Sequence, residues 1–423
     1  MSCEKILIFS FEPISNVMSN GRTLRNVLLN FEKRNIYNVY IHGIADLDGV
    51  NYYRISDKEA LKSFFGIRPK ITFSNTTSSK ENANSQPRQK KRSNLKMLIR
   101  ELVWSSKKIR KALLDLSRQI NPDVVLVFLG NGAFIMKNTV LVSKSIKKPI
   151  FTFNCEDYYF KNYDYITYKK RCSILHKIYK RNFVNSYNLL MDKTSASFYL
   201  TDELSDLFKT VFPNQNSCVL YTSSEIVPDR KQMISNSSKE FIYAGNVGIG
   251  RLEELIKVGK IIKSINAEYK LVVYCFETRK KLLRILQNTD AFEYRGFEKY
   301  GEIIKKMSDS YAVIHVESSN PFYAAHTVHG FSTKIADCLS IGNCFIAKVS
   351  NNSTVYHYLL NNCCAFVCSS DDEMKLVLDN IINKKDDKQK YVNNALLIAK
   401  TNHSATLNSQ KFQHKIIETI NNK

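Results

Sequence analysis

The chain has 423 residues, more than a single hydrophobic core accommodates, so at least two domains are expected. Hydrophobic residues make up 44% and charged residues 24%, which excludes an intrinsically disordered chain. The net charge of +23 is concentrated early: residues 51–200 hold 29 Lys and Arg against 10 Asp and Glu. A field of that kind attracts a polyanion, whether an anionic membrane face, a nucleic acid or a phosphorylated substrate.

In chain order, short apolar runs alternate with amphipathic stretches, the pattern of parallel strands joined by crossover helices. Lys5–Phe9 predicts a strand, Arg22–Phe31 a helix, Asn38–His42 a strand and Asp123–Leu129 a buried strand, with further strands at Ile150–Asn154 and Leu189–Met191. From about 68 to 96 the sequence turns polar and predicts a mobile loop. A second break, Glu225 to Lys239, separates the halves. The alternation then restarts: strands at Phe241–Ala244, Tyr269–Cys275, Ala312–Glu317, Asn343–Ala347 and Ala365–Cys368, and helices at Leu252–Ile265, Lys299–Met307 and Thr333–Leu339. The expected organisation is an N-terminal domain over 1–230, a C-terminal domain over 239–390, and helices in 391–423 that pack back across the junction. The fold class is α/β, two tandem doubly wound, Rossmann-like domains.

The opening apolar run, Ile6–Phe9, is too short for a signal-peptide core, and no stretch reaches the roughly 18 to 20 apolar residues that span a bilayer. A cytoplasmic protein with only peripheral membrane contact is the expectation. The ten cysteines show no zinc-type spacing, so no metal site is expected.

Two segments carry chemistry. In FIYAGNVGIGR, Phe241–Arg251, glycines follow a strand and precede a helix; Gly245, Asn246 and Gly248 let backbone approach a pyrophosphate, and Arg251 adds a cation at the helix start. In FSTKIADCLSIGNCFIA, Phe331–Ala347, the hydroxyls of Ser332 and Thr333 and the ammonium of Lys334 stand at a second helix start, with Asp337 one turn on, placed to accept from a ribose diol.

In order and spacing, GNVGIGR, HVESSN, FSTKIADCLSIGNCFIA and TVYHYLL with AFVCSS resemble the donor domain of GT-B glycosyltransferases of the family-four type, closest to bacterial enzymes of capsule, O-antigen or exopolysaccharide assembly. The resemblance covers most of the second half well and the first half loosely. It implies a nucleotide-sugar donor bound in an interdomain cleft, transfer with retention, no metal and no cofactor. It assigns Arg251 and Lys334 to the diphosphate, Ser332 to phosphate contact and Asp337 to the ribose. The first glutamate of the family's acidic pair falls at His329, and Glu317 from the preceding strand end is the candidate replacement in sugar contact. The family's second cation, normally a few residues after the arginine, is displaced to Lys257. In the first half, SNGRTLRNVL resembles the family's first loop and helix, with Gly21 as its phosphate-proximal glycine, and Asp157 of Cys155-Glu156-Asp157 stands where a polar residue faces the acceptor.

If departure and attack occur on one sugar face, the donor phosphate can accept the acceptor proton; Arg251 and Lys334, with Asp157 on the acceptor side, are the catalytic candidates. Met97–Leu116 and Tyr165–Phe183 predict basic amphipathic helices bearing aromatics, and with RQKKR at 88–92 they point to an anionic membrane surface presenting a glycan or lipid-linked glycan acceptor. A nucleic-acid partner is not expected, since no nucleic-acid-binding signature accompanies the charge. The competing readings are a non-catalytic GT-B scaffold of a polysaccharide assembly complex and, behind it, a nucleic-acid-binding protein.

Overall fold

A computed structural model describes residues 4–75, 93–227, 238–384 and 387–422. The chain divides into two compact units: Met1–Tyr221 with Ala405–Lys423, and Thr222–Ser404. The first crossing falls at 221/222, ahead of the linker expected from composition, and residues 228–237 of that linker lie outside the described residues.

The first unit runs β1 (Ile6–Phe9), α1 (Ser19–Val27), β2 (Ile36–Tyr40), β3 (Asn51–Arg54), α2 (Asp57–Phe64), β4 (Thr72–Ser74), α3 (Asn94–Trp104), α4 (Lys107–Ile120), β5 (Val124–Phe128), α5 (Ala133–Ile146), β6 (Ile150–Asn154), α6 (Ile174–Met191), β7 (Thr194–Tyr199), α7 (Asp202–Lys209) and β8 (Ser217–Val219). Its sheet has the order β4-β3-β2-β1-β5-β6-β7-β8, parallel except for antiparallel β4. The strands read as continuous apolar runs because both faces are covered. Leu7, Phe9, Val125 and Val127 face one core, and Ile6, Ile8, Val124 and Leu126 the other.

The second unit runs β9 (Glu240–Ala244), α8 (Arg251–Ile265), β10 (Lys270–Tyr274), α9 (Lys280–Asn288), β11 (Glu293–Tyr294), α10 (Tyr300–Asp309), β12 (Ala312–Val316), α11 (Pro321–Thr327), α12 (Thr333–Ser340), β13 (Phe345–Lys348), α13 (Thr354–Asn361), β14 (Phe366–Cys368), α14 (Asp371–Ile382) and α15 (Lys388–Asn402). Its all-parallel sheet has the order β11-β10-β9-β12-β13-β14. From β9 the chain builds outward to β10 and β11, then jumps back to place β12 on the other flank of β9. That reversal leaves a crevice at the carboxyl ends of β9 and β12, where open α/β sheets bind ligands. The last helix, α16 (Ala405–Asn421), belongs to the first unit, where Phe412 packs against Phe198 and Phe31.

Several sequence expectations are corrected. Leu189–Met191 is the end of α6 rather than a strand; a three-residue apolar run has no period to distinguish the two. Met97–Leu116 is two helices, broken where Ser106 caps α4 by accepting from the amide of Ile109. Tyr165–Phe183 is helical only from Ile174. Before it, the Asp164 carboxylate accepts from the amides of Ile166 and Thr167, holding a turn that buries Tyr165 and Ile166 against Tyr179. Around the expected loop, Thr72–Ser74 pairs with β3 and helix α3 starts at Asn94, while 76–92, including RQKKR, lies outside the described residues. Arg22–Phe31 begins and ends earlier, as Ser19–Val27, so Gly21 is inside a helix rather than in a loop.

A buried ionic network ties α8 to the sheet. The Lys348 ammonium, at the end of β13, is bonded to both Glu254 and Asp371; Glu254 also accepts from the Ser319 hydroxyl at 2.6 Å. Removing Lys348 takes from the buried Glu254 carboxylate its buried cation and leaves it the part-exposed Lys257. Lys348→Met is expected to destabilise the fold by about 3–5 kcal/mol. An unchanged urea midpoint would show that the network carries no weight.

Candidate functional site

The site grows from the crevice between β9 and β12. Beyond β9 the backbone turns at Gly245, with φ +141°, a conformation that side-chain-bearing residues rarely adopt. A Cβ there would fall 2.4 Å from the ammonium of Lys334, so this residue must be glycine for the lysine to lie across it. Lys334, in the first turn of α12, donates to the Tyr243 hydroxyl at 3.1 Å and stands 4.4 Å from that ring's centroid. The Tyr243 hydroxyl in turn donates to the carbonyl of Asn246, and Asn246 Oδ1 accepts from the amide of Gly248 at 2.6 Å. The loop is thus stiffened by its own asparagine.

Arg251 opens α8. The residue before it, Gly250, has φ +74° and is approached so closely by Ser318 that a Cβ would collide with the serine. Neither α8 nor α12 has a side-chain cap hydrogen bond; the amides of Arg251 and Leu252 donate instead to the loop carbonyls of Gly248 and Val247, and the amide of Ile335 to that of Ser332. The Arg251 guanidinium lies 3.6 Å from Glu317, which follows β12, and its buried Nε has no hydrogen-bond partner among the described residues. Glu317 is buried, which would push its pKa up, yet the His315 imidazole 3.5 Å away and the nearby Arg251 charge pull it below the ordinary carboxylate value. Burial pushes His315 down to about 4, so it is neutral at physiological pH. Lys334 is pushed down to about 7, first by burial and then by the like charge of Arg251. Two cations share one carboxylate in a largely desolvated corner.

The structure therefore brings together Gly245, Asn246, Gly248, Arg251, Glu317 and Lys334, with Ser332 and Thr333 at the same helix start. Asp337 is buried one turn further on, and its Oδ1 accepts from the Tyr300 hydroxyl at 2.8 Å and the Ser224 hydroxyl at 2.7 Å. His329 sits in the connection between α11 and α12; its buried Nδ1 has no hydrogen-bond partner among the described residues. Lys257 faces Glu254 at 3.3 Å and Asp371 at 3.4 Å, so the displaced second cation is engaged in the ionic network.

Two charged residues escaped the sequence reading. After β10, Glu277 holds the Arg279 guanidinium through both carboxylate oxygens, at 2.9 and 2.6 Å, and aims it at Gly248, within 3.3 Å of where a Cβ would stand. The glycine at 248 and the arginine at 279 become legible as a pair only once β10 lies beside β9.

In the first unit, Gly21 is packed so tightly that a Cβ would stand 2.5 Å from the Pro13 carbonyl and 2.8 Å from Ser15. Its position is explained by this packing of α1 on the loop after β1. Asp157 follows β6 and is paired at 2.8 Å with Lys161, itself buried. Among the described residues no group of three or more His, Cys, Asp or Glu is placed to hold a metal ion, and no helix is long and apolar enough to cross a membrane.

No family model matches the sequence, and no curated protein matches it either. Solved structures do. HepE from Anabaena in complex with UDP-glucose aligns over 98% of this chain and 99% of its own, with a TM-score of 0.60 and 10% identity. A glycosyltransferase from Rickettsia africae aligns over 99% and 100%, with a TM-score of 0.60 and 12% identity. MnaA from S. aureus, determined with UDP, aligns over 99% and 97%, with a TM-score of 0.54 and 12% identity. Identities this low speak to fold, and the fold is that of the GT-B class: two Rossmann-like domains in tandem.

The crowding of Lys334 has a measurable cost. A lysine whose folded pKa lies near 7 binds fewer protons than in the unfolded chain between about 7 and the ordinary 10.5, so its penalty is full below 7 and fades as pH rises toward 10.5. Lys334→Met is expected to raise the melting temperature of the ligand-free protein at pH 6.5, with the gain shrinking toward pH 10. A gain that does not vary with pH would refute the crowding.

Proposed function

We propose that the chain is a glycosyltransferase that takes a sugar from a nucleoside-diphosphate sugar, most simply a UDP-sugar, and passes it to a lipid-linked or growing glycan. The observation that carries this reading is the pair of cations, Lys334 laid over Gly245 and Arg251 beside Glu317, at two uncapped helix starts on the switch point of the second sheet. Two cations against one carboxylate leave positive charge unmatched, and a diphosphate supplies the complement. The UDP-glucose held by HepE and the UDP held by MnaA, on the same fold, support the choice of donor. The acceptor class, and membership of capsule, O-antigen or exopolysaccharide assembly, rest on the sequence resemblance.

In the proposed reaction Arg251 and Lys334 neutralise the charge that builds on the departing diphosphate. No metal ion or cofactor is assigned a role. The donor phosphate accepts the acceptor proton, and the sugar is transferred with retention. Glu317, released from Arg251 as the diphosphate takes its place, becomes available to a sugar hydroxyl. Asp337, bonded through Oδ1 to Ser224 and Tyr300, is the carboxylate assigned to the ribose. On the acceptor side, Asp157 orients the incoming hydroxyl, with Lys161 holding its carboxylate.

Two measurements test the reading. Lys334→Ala and Arg251→Ala are each expected to lower the transfer rate by about 10²–10³-fold with the fold intact, the usual effect of removing one preorganised electrostatic contact. Undiminished transfer in both would refute the assignment, and binding of nucleotide sugars without turnover over any acceptor would favour the scaffold reading. Because a bound diphosphate stabilises the protonated lysine, donor binding takes up a proton above pH 7. Affinity by calorimetry is expected to fall as pH rises from 7 to 9 in the natural chain and to lose that slope in Lys334→Ala.

A further inference from the structure

We infer that the surface of the first unit built from α2, β4, α3 and the start of α6 docks on an anionic lipid bilayer, with its aliphatic and aromatic side chains entering the interface. On α3 the inward face carries Glu101, Val103 and Trp104, all buried. Its outward face, Leu95, Ile99 and Leu102 at spacings of four and three, is apolar as well, and Leu102 is 62% exposed. A solvated helix would carry polar groups there.

The same departure recurs on both neighbours of α3. Asp57 at the start of α2 accepts from Arg100 and Trp104 of α3, each at 2.8 Å, fixing the two helices together. Beyond it, α2 ends in exposed Phe64, Phe65 and Ile67, with Phe65 74% exposed. On the other side Asn94 donates to Ser173 at 3.1 Å, setting the first turns of α3 and α6 side by side, and α6 opens with exposed Ile174 and Ile178. Phe73 of β4 is exposed too. Scattered exposed apolar side chains are ordinary on a protein surface, but a run of them over three packed helices marks an interaction site.

Charge identifies the partner. From Tyr165 to Met191 the sequence has six Lys or Arg and no Asp or Glu. Lys169, Lys170, Arg171, Lys177 and Arg181 are exposed on that stretch, as are Lys62, Arg68 and Lys96 on the neighbouring elements. The acidic residues of α2 and α3 do not cancel this field. Glu101 is buried, Asp57 is bonded to Arg100 and Trp104, and Glu59 to Lys62. Apolar side chains that enter an interface, rimmed by cations that stay outside it, suit anionic headgroups over acyl chains. A second copy of the chain would bring like charges together, and a nucleic acid would leave the aliphatic side chains without a partner.

The test is co-sedimentation of the full 423-residue chain with lipid vesicles, which needs neither donor nor acceptor, so its outcome is independent of the transferase reading. Binding to vesicles containing 30 mol% phosphatidylglycerol is expected to exceed binding to pure phosphatidylcholine by at least tenfold and to weaken with salt. Ile99→Ser with Leu102→Ser and Ile174→Ser is expected to lower it by more than tenfold with an unchanged melting temperature, and Lys169→Ser with Lys170→Ser and Arg171→Ser by a similar factor. Four results would overturn the proposal: no preference for anionic vesicles; binding unaffected by the apolar triple variant, which would make the surface merely electrostatic; a dimer abolished by that triple variant; or vesicle binding that appears only after residues 76–92 are replaced by a Gly-Ser linker, which would mean the chain covers this face itself.

Discussion

Lys334 and Arg251 are two positive charges held near each other with one carboxylate between them, and the architecture of the second unit is what keeps them there. In water such groups would separate. Here the lysine is pressed onto the Tyr243 ring and across Gly245, while the arginine is fixed by the start of α8 against Glu317. Each constraint belongs to a different element, and the elements meet only because β9 and β12 are neighbours in the sheet but separated in the sequence. The lowered pKa of Lys334 reflects that confinement: burial first, and then the like charge of Arg251, disfavour its protonated form.

The surrounding polar network distributes the burden. Glu254, one turn past Arg251, does not face the site; it is bonded to Lys348 and to Ser319, in the segment that follows Glu317. The start of α8, the end of β12 and the end of β13 are thereby fixed by one buried carboxylate. On the opposite side Asp337 bonds Tyr300 of α10 and Ser224 of the segment entering the second unit, and His403, on the segment leaving it, donates from Nδ1 to the Thr222 carbonyl 2.6 Å away. Burial pushes His403 down to about 4, so this anchor is neutral and indifferent to pH in the physiological range. The site is set on rigid supports whose own charges are already matched, and the excess is confined to the two cations.

How legible this was in the sequence depended on what each residue answers to. β5, β6, β9 and β12 were readable because a strand buried on both faces must be apolar throughout, and Val124–Phe128 has no alternative use. The glycine turn and the helix start at Ser332 were readable because a positive φ and a close side-chain approach restrict residue type over a few positions. What was not legible was anything decided at a distance. Gly21 has the look of a phosphate-loop glycine, yet its lack of a side chain is explained by the Pro13 carbonyl. Lys257 is the nearest cation to the displaced second position, and only the fold shows that Glu254 and Asp371 hold it. Arg279 has no local signature at all, and only the pairing of β10 with β9 places it beside Gly248. Helix interruptions at Ser105-Ser106 and before Ile174 were hidden because side-chain caps and aspartate turns compete with a helix without disturbing its hydrophobic pattern.

The charge of +23 separates into two populations that obey different physics. Lys334 and Arg251 act within a few ångströms, where desolvation makes each interaction strong and salt has little access. Lys169, Lys170, Arg171, Lys177 and Arg181 are exposed, screened beyond about 8 Å at physiological ionic strength, and individually weak. A small anionic donor would engage only the first population; it could not account for 29 basic residues over 51–200. The exposed cations and the apolar side chains set among them on α3 and α6 are the two features on which the proposed bilayer contact rests.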